Sequence, residues 1–452
     1  MRKKKPRDIA LSLLNLQSTR SGPWADDSLD EAFSRNPALD PRDKAFVSNL
    51  VHGVWRWRGR LDWCIARASN RPLSAIAPDV LNILRLALYQ ILFMDRVPDS
   101  AAVNEAVEQV KAAGKAHAAS FINGVLRRLC RESGRISPPD PAKDPEDFLA
   151  VEYSYPRWLA ARVLAAYGME EAGALLEAMN RIPALHIRGN PLKTTREDLI
   201  RRLEAEGLEA APLVSPMGLE VKGLRGRVDQ LSCFQEGLFT VQDAGAQAVS
   251  CLLGVEPGER ILDLCAGYGG KTTHLAELSG GRSMIAALDI NHGRLVHLRR
   301  SANRLGLAGI HPVVADAAED PVHLFRTRFH RILVDAPCSG LGVLSRHPDG
   351  KWNRSEEDVA RLAGLQVKLL NSAADLLEEG GFMLYVTCTI APEENEGVVE
   401  TVLNKRRELS LQDLGKKAAP WIEPLVDSQG FYRALPHVHG TGGFFGAGFS
   451  KT

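Results

Sequence analysis

The sequence Arg260-Ile-Leu-Asp-Leu-Cys-Ala-Gly-Tyr-Gly-Gly-Lys-Thr272 is the most informative about the fold of the second half of this chain. Its apolar start predicts a short buried strand, and its glycines predict a sharp turn into a helix over residues 273–278. Glycine is needed in such a turn because the backbone must bend tightly and let a ligand approach closely. A glycine turn by itself is a weak signal for a nucleotide-type ligand, and the alternative is a plain connection between a strand and a helix.

Acidic residues follow the neighbouring predicted strands. Asp289 ends a strand over 284–290, and Asp316 follows a strand over 311–315. Because parallel strands share one carboxyl edge, we expect Asp263, Asp289 and Asp316 to line one crevice, with Asp289 at ribose hydroxyls and Asp316 at an adenine amino group. The stretch has the form Asp263-x-x-x-Gly267-x-Gly269 and lacks G-x-G-x-x-G. This favours a pocket for S-adenosylmethionine over one for a dinucleotide.

Two cysteines follow the next two predicted strands. Asp335 and Cys338 lie at the end of the fourth strand, and Cys388 lies at the end of the fifth. Carbon C5 of cytosine is a poor nucleophile, and an enzyme can activate it by adding a thiolate to C6 and holding N3 with a carboxyl group. Methylation of an exocyclic amine needs no such thiol. The pattern therefore favours C5 chemistry, whereas Cys64, Cys130, Cys233 and Cys251 are expected to be inert.

The order of the predicted elements gives a multidomain chain. Strands alternate with helices over 246–452, which predicts a doubly wound, Rossmann-like α/β domain. Apolar residues recur at helical spacing over 1–135 and predict an all-α bundle. The proline-rich stretch 137–145 cannot continue a helix and predicts a linker. The mixed pattern of short helices and strands that follows predicts a small α+β, RRM-like module, and linker and module together span 136–245.

Composition and charge narrow the function. The 452 residues are 45% hydrophobic and 25% charged, which is typical of globular proteins. No stretch reaches the ~20 apolar residues that span a bilayer, and the basic start is not followed by a signal-peptide pattern, so we expect a soluble, cytoplasmic protein. The seven cysteines form no C-x-x-C pair and no zinc-type cluster, so no metal site is predicted.

The charge is unevenly distributed along the chain. Residues 1–135 hold 22 Lys and Arg against 14 Asp and Glu, whereas the remainder holds 34 against 41. The basic third suggests RNA binding, and we expect Arg56-Trp-Arg-Gly-Arg60 and Arg127-Arg128 to contact phosphates. The alternative is a solvated basic surface that serves protein contacts or folding.

The motifs carry a family resemblance. The second half of the chain resembles the RNA 5-methylcytosine methyltransferases of the NOL1/NOP2/Sun class. The matching motifs are Asp263-Leu-Cys-Ala with Gly-Gly-Lys271, Asp335-Ala-Pro-Cys338, His347-Pro-Asp-Gly-Lys-Trp352, Val386-Thr-Cys-Thr389 and Pro392-Glu-Glu-Asn-Glu396. The helical third is similar to the NusB-type RNA-binding domain, on Asp40-Pro-Arg-Asp-Lys-Ala-Phe46, His52-Gly-Val-Trp-Arg56 and Phe121-Ile-Asn-Gly-Val-Leu-Arg-Arg128. This fusion is the arrangement of the RsmB/Fmu (Sun) family, which methylates a cytosine of 16S ribosomal RNA.

The resemblance implies a role for each matching residue. Cys388 is the implied nucleophile, unlike in the DNA 5-methylcytosine enzymes, which use the cysteine of the Pro-Cys motif. Cys338 assists breakdown of the covalent adduct, and Asp335 contacts N3 near the cofactor. The implied S-adenosylmethionine site consists of Cys265, Ala266, Gly267, Tyr268, Gly269, Gly270, Lys271, Asp289, Asp316 and Asp335. The implied partner is 16S ribosomal RNA, with no DNA or membrane, and we expect a monomer.

The sequence departs from the family pattern in two places. Gly267 and Tyr268 replace the family's usual Ala-Pro, which makes the loop more flexible, and Gly442 replaces an Asp. Two other functions stay open: an RNA-binding or assembly factor with an inactive methyltransferase half, and an amine methyltransferase. Such amine enzymes typically carry Asn/Asp-Pro-Pro-Tyr where this chain has Asp335-Ala-Pro-Cys338.

Overall fold

The computed structural model describes residues 5–17, 24–132, 136–319 and 321–452. Its helices alternate with strands in the second half of the chain but not in the first. The α-helices are α1 Pro6–Gln17, α2 Ala25–Arg35, α3 Pro41–Ala68, α4 Pro78–Phe93, α5 Asp99–Ala112, α6 Ala119–Glu132, α7 Pro145–Glu152, α8 Arg157–Ala178, α9 Arg196–Ala205, α10 Ser232–Gln235, α11 Ala244–Leu252, α12 Gly270–Leu278, α13 His292–Leu305, α14 Gly350–Asn353, α15 Glu356–Leu376, α16 Glu396–Lys405 and α17 Pro436–His439.

The strands form two sheets. They are β1 Leu185–Gly189, β2 Glu209–Pro212, β3 Gly218–Lys222, β4 Phe239–Val241, β5 Arg260–Asp263, β6 Met284–Asp289, β7 Ile310–Val314, β8 Phe329–Asp335, β9 Leu377–Thr387, β10 Leu409–Gln412, β11 Tyr432–Ala434 and β12 Phe444–Lys451. The small sheet is antiparallel, in the order β2-β3-β1-β4. The large sheet has the order β10-β12-β9-β8-β5-β6-β7, and β9, β8, β5, β6 and β7 are parallel.

The large sheet is buried on both faces. Leu262 and Leu264 belong to one apolar cluster and Ile261 belongs to another, because successive side chains of a strand point to opposite faces. This is the fold class that the alternating pattern predicts, and it is confirmed. The sequence did not indicate the antiparallel edge, in which β12 pairs with β9, β10 and β11.

The chain divides into two compact units. The first, here the helical unit, contains residues 1–181 and 344–353, and the second, the α/β unit, contains 182–343 and 354–452. The three predicted domains are a finer division, and their limits at 135 and 245 stay a prediction. No helix in the described part of the chain is both long and apolar enough to cross a membrane.

The helical unit includes a segment that is distant in sequence, residues 344–353. Trp352 donates its indole N–H to the carbonyl of Trp55 at 2.8 Å, and Arg56 donates to the carbonyl of Ser345 at 2.7 Å. Lys351 is fully buried in this unit. Its Nζ lies 3.1 Å from the carbonyl oxygen of Arg56, and burial lowers the pKa of Lys351 well below its usual 10.5.

The arginines of the basic run at 56–60 make contacts inside the helical unit. Arg56 is 8% exposed and holds the 344–353 segment. Arg58 lies over the rings of Trp55 and Trp352, and Arg60 donates to the carbonyl of Ile136 at 3.2 Å. These contacts use the Arg56 guanidinium group inside the helical unit, whereas the Arg58 and Arg60 side chains remain 29% and 21% exposed. The expectation that this run contacts phosphates stays a prediction. A basic run of this kind does not reveal which of its members are buried.

Candidate active site

The glycine loop between β5 and α12 forms one wall of the site. Gly267 and Gly269 have positive φ angles of 54° and 84°, and a Cβ on Gly269 would lie 2.5 Å from Leu298. Glycine is therefore required at 269 both for the turn and for packing. A Cβ at Gly267 or Gly270 would meet no atom within 4 Å, so the loop leaves open space beside these residues. Tyr268 is 59% exposed, with its ring near His297 and Arg294.

The predicted acids gather around this loop. Asp289 is 7% exposed and accepts the Gly267 N–H at 2.9 Å and the Asn291 N–H at 2.7 Å. Asp316 accepts the Ala318 N–H at 2.9 Å. Burial, followed by the charges of Asp263, Asp335, Asp289 and Asp316, raises the pKa of Cys265 well above 9.0, so all four carboxyl groups lie near this one thiol.

Asp263 is the most deeply buried of these acids. It is 1% exposed and accepts the Thr272 hydroxyl hydrogen at 2.6 Å. Burial raises its pKa to about 7, the Thr272 hydrogen bond opposes that change, and the charge of Asp335 adds to it.

These residues fit S-adenosylmethionine. Carboxylates can accept hydrogen bonds from ribose hydroxyls and an adenine amine, and the space beside Gly267 and Gly270 lets a ligand approach the backbone.

The ends of β8 and β9 bring the second set of predicted residues together. Asp335 pairs in register with Val386, so the segments that follow the two strands begin side by side. The Sγ atoms of Cys338 and Cys388 are 3.3 Å apart, and the Cys388 N–H also points to Cys338 Sγ at 3.3 Å. The hydrogen bond to Cys388 and burial raise the pKa of Cys338 well above 9.0.

A lysine links the glycine loop to the strand ends. Lys271 donates to Asp335 Oδ2 at 2.6 Å. Burial lowers the pKa of Lys271, but the charge of Asp335 and, more weakly, that of Cys388 outweigh burial and raise it. The charge of Lys271 interacts with that of Cys388, and a nearby ammonium group favours the thiolate form of a cysteine, which is the reactive form.

Three residues that adjoin the site are not identified as functional by the sequence patterns. Arg188 on β1 is 2% exposed, forms an ion pair with Glu277 at 2.8 Å and donates to the carbonyl of Gly270 at 3.1 Å. It therefore holds the start of α12, and nothing in its sequence context signals this. Glu394 and Asn395 contact residues beside both thiols. They lie within a family motif, but a motif does not show what its side chains touch.

Sequence comparisons identify the family. The chain is 37% identical to the Synechocystis sp. protein named "Probable ribosomal RNA small subunit methyltransferase B", over 98% of this chain and 99% of that protein. It is 34% identical to the Bacillus subtilis protein of the same name, over 98% of each. The chain belongs to the RsmB/F family of rRNA methyltransferases.

The domain matches agree with that membership. The family described as 16S rRNA methyltransferase RsmB/F matches residues 250–450, the NusB family matches 4–131, and a ferredoxin-like domain of RsmF/B-like methyltransferases matches 155–225. The crystal structure of PH0851 superposes with a TM-score of 0.81 at 29% identity, over 99% of both chains. The resemblance predicted from the motifs, a NusB-type domain with an RsmB/F-type methyltransferase, is confirmed.

Proposed function

We propose that this RsmB/F-family protein transfers a methyl group from S-adenosylmethionine to C5 of a cytosine in 16S ribosomal RNA, through a covalent bond between Cys388 and C6. The observation that carries the proposal is the placement of two thiols 3.3 Å apart at the strand ends that also hold Asp335. Relatives named as ribosomal RNA small subunit methyltransferases support the substrate class.

Each residue of the site has a task in this reaction. The Cys388 thiolate adds to C6, and the electron pair displaced from the C5–C6 bond moves to C5 while Asp335 holds N3. S-adenosylmethionine, when bound, supplies the methyl cation equivalent that C5 accepts. The C5 proton then leaves to a base, the electron pair of that C–H bond restores the C5–C6 double bond, and Cys388 departs as thiolate. We assign Cys338 to this breakdown step.

The remaining residues hold the reactants. Residues 265–271 with Asp289 and Asp316 are proposed to bind the cofactor, and Lys271 keeps Asp335 in place through a 2.6 Å contact. The helical part at 1–135 is proposed to bind ribosomal RNA, and the module at 136–245 is proposed to support that binding. The part at 246–452 is proposed to perform the chemistry. We propose that the protein acts as a monomer.

A mechanism-based probe tests this proposal. RNA that contains 5-fluorocytosine at the target should form a complex with the protein that survives denaturing gels, because fluorine cannot leave C5 as the proton does. The complex should require S-adenosylmethionine, and bisulfite mapping should show a new 5-methylcytosine in ribosomal RNA. Methylation of an exocyclic amine, or binding without any methylation, would overturn the proposal in favour of the two alternatives.

A further inference from the structure

The motif Pro392-Glu-Glu-Asn-Glu396 has no role in the reaction described above, yet its centre is buried. Glu394 is 0% exposed and Asn395 is 1% exposed, immediately before α16 begins. A carboxylate is rarely buried so deeply without a specific set of partners. The partners of these two side chains lie next to Cys338 and Cys388.

Glu394 holds the loop that carries Cys338. The Ser339 N–H donates to Glu394 Oε1 at 2.8 Å, and the Ser339 hydroxyl donates to Oε2. Gln366 donates to Glu394 Oε1 at 2.9 Å and also to the carbonyl of Pro337 at 2.9 Å. Pro337 and Ser339, the residues on both sides of Cys338, are therefore held by hydrogen bonds: Glu394 holds Ser339, and Gln366, which also donates to Glu394, holds Pro337.

Asn395 holds the strand end that carries Cys388. Its Nδ2 donates to the carbonyl of Thr389 at 3.1 Å, and its Oδ1 accepts the Thr387 hydroxyl hydrogen at 2.6 Å. The residues that precede and follow Cys388 are thus bonded to one side chain. All of these atoms are buried, where each hydrogen bond is stronger than in water and its loss is more costly.

A pair of hydroxyl groups joins the two halves. The Ser339 and Thr389 oxygens are 2.8 Å apart, and Ala391 N–H donates to Thr389 Oγ1 at 3.2 Å. The Ser339 hydroxyl uses its one hydrogen in the hydrogen bond to Glu394. In the contact between the two hydroxyl groups, Thr389 is therefore the donor and Ser339 the acceptor. Each hydroxyl donor in this series points towards the Glu394 carboxyl group, and the arrangement satisfies each hydroxyl group.

We propose that Glu394 and Asn395 are the positioning residues that hold the two thiols of the site, Glu394 acting on Cys338 and Asn395 on Cys388. The assignment of each thiol to a catalytic step rests on the proposed function. The positioning itself rests only on the contacts of the α/β unit.

The charge of Glu394 has a second effect. The Cys388 hydrogen bond, burial, the charge of Cys388 and the charge of Glu394 all raise the pKa of Cys338. Glu394 thus helps to keep Cys338 a neutral thiol, while the Lys271 ammonium lies near Cys388. Fixed neighbours of opposite charge, the Glu394 carboxylate and the Lys271 ammonium, therefore act on the two cysteines.

Thiol alkylation tests the positioning without RNA. The rate at which iodoacetamide modifies Cys338, measured by mass spectrometry against pH, should shift to lower pH by about one unit in Glu394→Gln, since a negative charge is removed. Cys130, in the helical unit, provides an internal reference. Glu400→Gln, an exposed residue of α16, is the matched control and should leave the Cys338 profile unchanged.

RNA tests the division of labour. Glu394→Gln should accumulate the covalent complex with ordinary RNA, whereas Asn395→Ala should slow its formation by about a hundredfold, the effect of a small misplacement of a reacting group. Cofactor affinity by calorimetry should stay unchanged in both. If Glu394→Gln fails to fold, Ser339→Ala removes only one hydroxyl and should also accumulate the complex, to a smaller extent.

The possible failures are distinguishable. If the Cys338 profile shifts but the parent protein never forms the 5-fluorocytosine complex, the positioning stands and the proposed function is wrong. If the parent forms that complex and Glu394→Gln shows neither the shifted profile nor the accumulation, the positioning proposal is overturned. Equal losses in both steps for both variants would also overturn it, because they would indicate general destabilisation.

Discussion

At the scale of single residues, Cys338 and Cys388 are near neighbours with different surroundings. Cys338 lies beside the Glu394 carboxylate network and has a raised pKa, whereas Cys388 lies near Lys271. Because a thiolate is the better nucleophile, the surroundings of Cys388 favour it for the proposed attack on C6. The same argument leaves Cys338, as a neutral thiol, for a later step.

Substitution of each cysteine should therefore have a different outcome. Cys388→Ala should abolish methylation, because the remaining thiol, Cys338, has a pKa that burial raises and is therefore a poor nucleophile. Cys338→Ala should retain RNA covalently, because adduct breakdown is impaired and its formation is not. Denaturing gels with labelled RNA measure both results. If Cys388→Ala accumulates the complex and Cys338→Ala stays free of it, the two roles are reversed.

Asp289 should affect cofactor binding rather than chemistry. Asp289→Ala removes the acceptor of the Gly267 N–H and of the proposed ribose hydroxyls. Charge-assisted hydrogen bonds contribute ~1.5–3 kcal/mol each, so S-adenosylmethionine affinity should fall roughly tenfold to a hundredfold. Isothermal calorimetry measures this, with circular dichroism to establish that the variant is folded. Unchanged affinity would remove Asp289 from the cofactor site.

Asp263 should make stability depend on pH. Its pKa is raised from 3.8 to about 7 by burial, so between those values the folded state holds a proton that the unfolded state releases. The free energy of unfolding should therefore fall as pH rises from about 4 to 7. Asp263→Asn should lose this dependence. Between pH 4 and pH 8, its free energy of unfolding should therefore rise relative to that of the parent by on the order of 4 kcal/mol.

Urea unfolding at several pH values measures the effect of Asp263. Asp30→Asn, on the exposed face of α2, is the control and should keep the slope of the parent. If Asp263→Asn and the parent show the same dependence on pH, then Asp263 titrates at its ordinary pKa and its burial has no effect on its charge.

At the scale of elements, the sequence predicted those parts of the site that follow directly from strand ends. Asp289, Asp335 and Cys388 each lie at or just after the end of a parallel strand, and parallel strands end at one edge of a sheet. The contacts of Glu394 could not be predicted in this way. Ser339 precedes Glu394 by 55 positions, and no periodicity connects them.

The 344–353 segment is the element that sequence patterns describe least well. Its residues stand between β8 and α15, which belong to the α/β unit, yet their contacts belong to the helical unit. Only family resemblance distinguishes the motif His347–Trp352. The segment is held by buried hydrogen bonds to backbone carbonyls. Because every residue has a backbone carbonyl, the sequence does not show which of them accept these bonds.

Lys351 should control the order of that segment. Lys351→Met leaves the carbonyls of Arg56 and Ser154 and the side-chain oxygen of Asn180 without this donor, and each unsatisfied buried group costs about 1–3 kcal/mol. Hydrogen exchange should accelerate across 344–353 and remain unchanged in β5. Lys143→Met, at a side chain that is 84% exposed, is the control. Unaltered exchange in the Lys351 variant would show that other contacts hold the segment.

At the scale of the whole molecule, residues 1–135 and the remainder of the chain carry net charges of opposite sign. Residues 1–135 hold an excess of basic residues, and the remainder holds an excess of acidic ones. Deletion of 1–135 is a poor test of RNA binding, because it would remove Trp55 and Arg56, which bond to the 344–353 segment. Surface substitutions separate charge from folding.

Arg127 and Arg131 are suitable for this purpose, because both are exposed and lie one turn apart on α6. Phosphate contacts release counterions, so Arg127→Gln with Arg131→Gln should weaken RNA binding and lower the slope of log affinity against log salt by ~0.9 or less for each phosphate that is no longer neutralised. Fluorescence anisotropy over a salt series measures the slope, and S-adenosylmethionine affinity should not change. The matched control is Arg361→Gln with Lys405→Gln, which removes the same charge from exposed positions in the acidic remainder. An equal decrease of slope in both double variants would mean that RNA responds to net charge and not to this helix, and an unchanged slope in the first would mean that these arginines are merely solvated.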